Sequence, residues 1–460
     1  MTIAAFSSLP LLPELLQSVE SLGYQQMTAI QQQSLPAMLA GKDVLAKAKT
    51  GSGKTAAFGL ALLNQIDPVS YHTQALVLCP TRELAEQVSK EIRALARFMP
   101  NIKLLTLCGG TAIGHQINSL EQAPHIVVGT TGRVLDHLHR NTLALNKIKA
   151  LVLDEADRML DMGFEEDIHQ IAKKTPTTRQ SLLFSATYPD AIQAMSQRIL
   201  QTPVVIEVEA QHDSKHITQQ FIELSYQDKP AAVIKLLAHY RPESTVIFCN
   251  TKADCNDLTE FLDSKGFDVL TLHGDLEQRD REQVLLRFAN KSCPVLVATD
   301  VAARGLDIKD LSAVINFELA YDPEVHIHRI GRTGRAGNQG LAFSLCAPKE
   351  ASRVVAIEDY QKIKVEWLDL SLLANTTTAP LKASMTTLCI EGGRKDKLRP
   401  TDILGALTGE GGLAGADVGK IDIFDIRAYV AIKNQFAHQA LKRLQSGQIK
   451  GRRFRVSKVV

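Results

Sequence analysis

The chain has 460 residues, 45% of them hydrophobic and 22% charged, an ordinary globular balance with room for roughly three domains of about 150 residues. No apolar run reaches the ~18 residues that span a bilayer, the first basic residue is Lys42, and the seven cysteines are scattered with no C-x-x-C pair, so a membrane span, a secretory leader and a disulfide framework are not expected and a cytoplasmic location is. The net charge of +2 hides an asymmetry: residues 384–460 carry 14 basic against 7 acidic side chains, or +7, and the remainder is −5. A small basic module on a mildly acidic body suggests a polyanionic partner, with a solvated basic tail as the alternative.

In chain order, Asp43 to Ala46 reads as a strand, Ala48-Lys49-Thr50-Gly51-Ser52-Gly53-Lys54-Thr55 as a glycine-rich turn, and Thr55 to Ile66 as a helix. That context turns backbone N–H groups toward phosphate oxygens, lets the Lys54 ammonium reach the outer phosphates, and offers the Thr55 hydroxyl to Mg2+. The spacing predicts strands over Ala75 to Cys79, Ile126 to Gly129, Leu151 to Leu153 and Leu182 to Phe184, with a helix over Glu83 to Phe98. Asp154-Glu155-Ala156-Asp157 closes the third of these strands, 100 positions after Lys54. Asp154 is suited to hold the metal and Glu155 to orient or deprotonate the attacking water, so the pair of motifs specifies ATP hydrolysis by an enzyme with ATP and Mg2+ as cofactors.

A second strand series follows the polar stretch 211–216, over Val246 to Phe248, Val269 to Leu272, Val295 to Ala298, Val314 to Phe317 and Ala342 to Leu345. It contains no G-x-x-x-x-G-K-[ST], the pattern the first loop follows with Ala48 in place of the first glycine, so one nucleotide site is expected to serve two α/β domains. His328-Arg329-Ile330-Gly331-Arg332-Thr333-Gly334-Arg335 concentrates three guanidinium groups that repel one another unless an anion is present. The expected domains are 1–210 and 217–365, then a linker over 371–383 and a basic module over 384–460. In that module Thr387 to Ile390, Thr401 to Leu407, Ile421 to Phe424, Tyr429 to Ile432, Phe436 to Leu444 and a last strand with Phe454 and Val456 give the order βαββαβ. The fold class is thus two tandem RecA-like parallel-sheet domains followed by a small α+β RRM-like domain. Only Tyr429 falls near a position where an RRM carries stacking aromatics, so basic loops at Arg394, Lys395, Lys397 and Arg399 with a basic tail through Arg453 are read as contacts to a folded RNA.

These motifs, in this order over about residues 6 to 335, resemble the DEAD-box RNA helicase family. The resemblance implies that Gln31 senses adenine and that Phe6 stacks on it, with Met27 where the family usually has proline. It implies that Thr50, Gly51, Ser52, Gly53, Lys54 and Thr55 hold the phosphates, and that Asp307 approaches the ribose. RNA contacts would come from Arg82 in Pro80-Thr81-Arg82-Glu83-Leu84-Ala85, from Gly110 in Gly109-Gly110, and from Arg133 in Thr130-Thr131-Gly132-Arg133. Arg279 and Thr299 would add to them from the second domain. Ser185-Ala186-Thr187 would connect hydrolysis to unwinding, and Arg332 and Arg335 would be arginine fingers, joining Lys54, Asp154 and Glu155 as the catalytic set. Core and tail together resemble the bacterial DbpA subfamily, which implies tethering to large-subunit (23S) ribosomal RNA on a ribosomal precursor, in 50S subunit assembly, by a monomer with no membrane partner. A DNA translocase, a non-enzymatic RNA scaffold and a metabolic kinase are the rival readings of the same residues.

Overall fold

In a computed structural model the described residues are 5–48, 51–188, 190–208, 217–303, 311–334, 339–373 and 379–459. The chain divides into two compact units, residues 1–211 with 305–307, and residues 212–304 with 308–460.

The first unit is built on a seven-stranded parallel sheet of β1 (Val44–Lys47), β2 (Ala75–Cys79), β3 (Leu104–Leu107), β4 (Ile126–Thr130), β5 (Ala150–Asp154), β6 (Gln180–Ser185) and β7 (Val204–Glu207), in the order β3-β4-β2-β5-β6-β1-β7. Its strands are apolar on consecutive residues because both faces are covered. Val44, Ala46, Val77, Val128, Val152 and Phe184 enter one core, and Leu45, Leu76, Val127, Leu151, Leu153 and Leu183 the other. Since all neighbours are parallel, every strand ends on the same edge, where ligands bind in such sheets.

The second unit repeats the plan with β8 (Ile217–Glu223), β9 (Thr245–Cys249), β10 (Val269–Leu272), β11 (Val295–Thr299), β12 (Ala313–Asn316), β13 (Gly340–Cys346) and β14 (Glu366–Trp367), ordered β10-β11-β9-β12-β13-β8-β14. A buried ion pair fixes its interior: Lys229 Nζ lies 2.7 Å from Glu350 Oε2 and donates to the Phe317 carbonyl, while Glu350 accepts the amides of Leu319 and Ala347. The pair is net neutral and its hydrogen-bonding capacity is widely used, the conditions under which buried charge is tolerated.

In the same unit, β15 (Met385–Ile390), β16 (Val418–Ile423), β17 (Ala428–Lys433) and β18 (Val456–Lys458) form an antiparallel sheet, ordered β16-β17-β15-β18. With the helices Pro400–Thr408 and Ala437–Ser446 the order is the expected βαββαβ. Leu388, Ile390, Val430 and Ile432 face the core with Ile403, Leu407, Ala440 and Leu444. Phe454 lies outside the last strand, contrary to the sequence reading. It packs beside Gly392, where an added Cβ would come within 2.3 Å of its ring.

The opposite sheet face is not free. Thr387 Oγ1 bonds Ser292 Oγ at 2.6 Å and accepts from Asn290 Nδ2, and the Met385 amide donates to the Lys291 carbonyl. The stretch read as a linker is seated as well. Leu373 and Leu381 are buried in the core of the second parallel sheet, Lys382 pairs with Asp268 at 3.0 Å, and the Ala383 amide donates to the same carboxylate.

Candidate active site and nucleic-acid face

β1 delivers the glycine-rich turn, and Gly53, at φ 91°, is the N-cap of the helix Lys54–Gln65. A left-handed residue is needed to turn the loop into the helix, and glycine adopts it without a Cβ clash. An added Cβ there would meet Gln31 Nε2 at 2.6 Å. β5 delivers Asp154, followed by Glu155 at φ 55° and ψ 54°, a left-handed conformation that costs a non-glycine residue about 1–3 kcal/mol. This kink ends the strand and starts the helix Ala156–Asp161 within one residue.

Lys54 Nζ stands 3.1 Å from Asp154 Oδ1 and 3.9 Å from Glu155 Oε1, with all three side chains buried. Burial alone would depress the Lys54 ammonium, but the carboxylates of Asp154, Glu155 and Asp157 outweigh it and hold the ammonium above its ordinary value. Burial pushes the Asp154 carboxyl up despite the nearby lysine. Ser52 Oγ and Asp154 Oδ2 are buried without a hydrogen-bond partner among the described residues, and Lys54 Nζ has none there beyond the carboxylates of Asp154 and Glu155. Orphaned polar atoms cost about 1–3 kcal/mol each, so such a cluster marks a receptive site. A hydroxyl, an ammonium and hard carboxylate oxygens are the donor set that phosphates and a divalent cation require.

Two further links were not foreseen. Glu155 is paired with Arg158, one helical turn on, a partner its i,i+3 spacing could have indicated. Asp157 Oδ2 accepts the amides of Ala186 and Thr187 at 3.0 and 3.1 Å, tying the acidic tetrad to the turn after β6, where Ser185 Oγ donates to the Thr187 carbonyl.

Gln31 is brought to the loop, donating from Nε2 to the Gly53 carbonyl at 3.0 Å, while its Oε1 accepts the Thr28 amide at 2.8 Å in a capping box. Phe6 is buried in the core beside Tyr24, ring centroids 6.5 Å apart. Met27 is buried in that core as well. Gly51 is exposed and Thr55 half-buried; Thr50, Asp307 and Arg335 lie outside the described residues.

The other half of the sheet edge collects Arg82, Gly110 and Arg133. Arg82 opens the helix Arg82–Leu95 capped by Thr81 Oγ1, and its guanidinium lies against Gly109, where a Cβ would meet Nη2 at 2.8 Å. Gly110 has φ 83°. Thr131 is the first residue of the helix Thr131–His139. Arg133 Nη1 donates to the Thr111 carbonyl at 3.2 Å.

In the second unit Thr299 ends β11, buried, and Arg279 is exposed near the start of the helix Gln278–Ala289. Arg332 is buried just after the helix Pro323–Ile330. The expectation that three clustered arginines need an external anion is corrected for Arg329. It is 1% exposed, grips both oxygens of Asp300 at 2.7 and 2.6 Å, and also donates to Asn250, Asn316 and the Glu318 carbonyl. Arg394, Lys395, Lys397, Arg399 and Arg453 are all exposed. Lys450 Nζ donates to the Lys397 carbonyl and Arg452 reaches Asp396 at 4.0 Å, so loop 394–397 and the tail form one basic surface.

Two parallel seven-stranded sheets, one with a glycine-rich phosphate loop beside an acidic tetrad, define a helicase-type ATPase core. Comparison with known proteins makes this specific. Residues 28–195 match the DEAD/DEAH box helicase family, 228–337 the helicase conserved C-terminal domain, and 387–458 the DbpA RNA binding domain. The chain is 56% identical to the ATP-dependent RNA helicase DbpA of Escherichia coli K12 over 99% of both chains, and 38% identical to that of Bacillus subtilis 168 over 97% of both. It is also similar to a solved structure of Saccharomyces cerevisiae Dbp5 bound to RNA and ADP BeF3, with a TM-score of 0.72 and 33% identity over 80% of this chain and 96% of that one. The chain belongs to the DEAD-box ATP-dependent RNA helicases, in the DbpA subfamily. It is an ATP-using, RNA-binding enzyme. Among the described residues no helix is long and apolar enough to cross a membrane.

Proposed function

We propose that this helicase is tethered by residues 384–460 to 23S ribosomal RNA and separates short duplexes on a precursor of the 50S subunit, as a cytoplasmic monomer. The observation that carries its chemistry is the buried cluster of Ser52, Lys54 and Asp154, in which the lysine's ion pair with Asp154 leaves Ser52 Oγ and Asp154 Oδ2 without a hydrogen-bond partner among the described residues. Thr50, Gly51, Ser52, Gly53 and Lys54 bind the phosphates of ATP. Thr55 and Asp154 hold Mg2+, which when bound neutralises phosphate charge. Glu155 takes the proton of the attacking water, its left-handed backbone setting where the carboxylate begins and Arg158 steadying it. Arg332 and Arg335 stabilise negative charge on the transferred phosphoryl group, a role worth a factor of about 10³ to 10⁵ in rate.

Gln31 selects adenine, Phe6 supports the base, and Asp307 meets the ribose. The Gln31 amide is engaged with Thr28 and Gly53, so adenine recognition exchanges or supplements those contacts. Arg82, Gly110, Arg133, Arg279 and Thr299 contact the RNA backbone. Arg394, Lys395, Lys397 and Arg453 contact the tethering RNA; the covered centre of the C-terminal sheet favours this basic surface over face-stacking. ATPase stimulation by a panel of ribosomal RNA fragments tests the tether. In the full-length variant R394E/K395E/K397E the preference for large-subunit fragments should disappear, and an unchanged preference would overturn the reading.

A further inference from the structure

Behind the Arg82, Gly110 and Arg133 face lies a side chain that belongs to none of its segments. Gln116, on the helix Ile113–Leu120, is 7% exposed. Its Nε2 donates to the Cys108 carbonyl and to Thr111 Oγ1, both at 2.9 Å, on either side of Gly109-Gly110. Its Oε1 lies 2.8 Å from Arg133 Nη1 and 3.0 Å from His137 Nε2. The amide can sit only one way round: flipped, it would set N–H groups against a guanidinium and an oxygen against a carbonyl. His137 is fully buried. Burial, then Arg133, holds its imidazole below the ordinary range, so the neutral ring donates from Nε2 and turns Nδ1 to the Thr142 hydroxyl 2.8 Å away. Four contacts saturate the amide and join the loop after β3 to the helix that follows its neighbour β4.

We propose that Gln116 is a positioning residue for RNA: it fixes the shape of the Gly109-Gly110 turn and the aim of Arg133 together, so that both meet one stretch of phosphate backbone. The inference rests on the RNA-contact reading of Arg133. A guanidinium held by the buried Gln116 oxygen and by the carbonyl of Thr111, itself fixed by Gln116, loses little rotamer freedom on binding phosphate; released, it must be ordered by the RNA itself.

Equilibrium binding of a fluorescein-labelled single-stranded RNA to the full-length protein, with a non-hydrolysable ATP analogue and over a salt series, tests this. Q116L and R133A should each weaken binding by about tenfold, and the double variant should be weaker than R133A by clearly less than the factor Q116L costs alone. Q116L should also lower the slope of log K against log salt by about one, as R133A does, although it changes no charge. Q116E keeps the side chain's size but sets a carboxylate oxygen against the Cys108 carbonyl and a negative charge beside Arg133, so it should bind more weakly than Q116L, a result that loss of packing would not give. If Q116L binds like wild type, or its effect multiplies with that of R133A, the positioning role is overturned while the RNA role of Arg133 stands. If R133A itself binds like wild type, both fail.

Discussion

Arg329 grips Asp300 with Nε and Nη2 at 2.7 and 2.6 Å, joining the helix Pro323–Ile330 to the residue that follows β11. The guanidinium is therefore paired inside the fold, and Arg332, three residues later, is left as the described arginine of the motif assigned to phosphate. R329M strips Asp300 of its counter-ion and should destabilise the second unit by about 3–5 kcal/mol in urea unfolding. R332A should instead appear in catalysis, lowering RNA-stimulated ATPase by about 10³-fold or more in steady-state assays.

Asp157 accepts two backbone amides from Ala186 and Thr187. D157A leaves both N–H groups unpaired in a partly buried turn and should cost about 1–3 kcal/mol, read as a lower urea midpoint with unchanged slope. Unaltered stability would mean that water replaces the carboxylate.

His326 is buried beside Phe221 with neither ring nitrogen hydrogen-bonded among the described residues, and burial, then Arg329, pushes its imidazole down to about 3. The unfolded chain takes up a proton near the ordinary value of 6.5 and the folded chain does not. Its contribution to stability is therefore complete above that value and falls by about 1.4 kcal/mol per pH unit below it, down to the folded value. H326F has no proton to bind, so its stability relative to wild type should improve by about 2 kcal/mol between pH 7 and pH 5 in urea titrations.

Lys54 is the counter-ion of two buried carboxylates and, in the proposed function, the ligand of the outer phosphates. K54A should weaken nucleotide binding and lower turnover by at least about 100-fold in coupled ATPase assays. Near-normal turnover would remove the lysine from the mechanism.

The central strands were legible because parallel strands buried on both faces are continuous apolar runs: Ala75 to Cys79 coincides with an observed strand, and Val295 to Ala298 falls within Val295–Thr299. The flanking strands β3, β7, β8 and β14 escaped detection. Leu104–Leu107 is largely half-buried, and Ile217–Glu223 carries polar Thr218, Gln219 and Gln220 that mask any apolar pattern. The nucleotide loop and tetrad were readable because their chemistry is local in sequence. Arg329 with Asp300, Gln116 with Arg133, and Thr387 with Ser292 were not, because each pair is defined by partners that only the folded chain brings together. Leu381 shows the same limit, a lone leucine in a segment without periodicity that is buried in a core built largely by distant residues.

The central claim is that Glu155 activates the water that cleaves ATP while Lys54 and Asp154 hold the nucleotide with its cation. Single-turnover hydrolysis by E155Q at saturating RNA, with nucleotide and RNA binding measured on the same preparation, tests it most directly. Both ligands should bind with affinities within about threefold of wild type while hydrolysis falls by at least about 100-fold, the lower bound for loss of a positioned general base. Hydrolysis at the wild-type rate would contradict it.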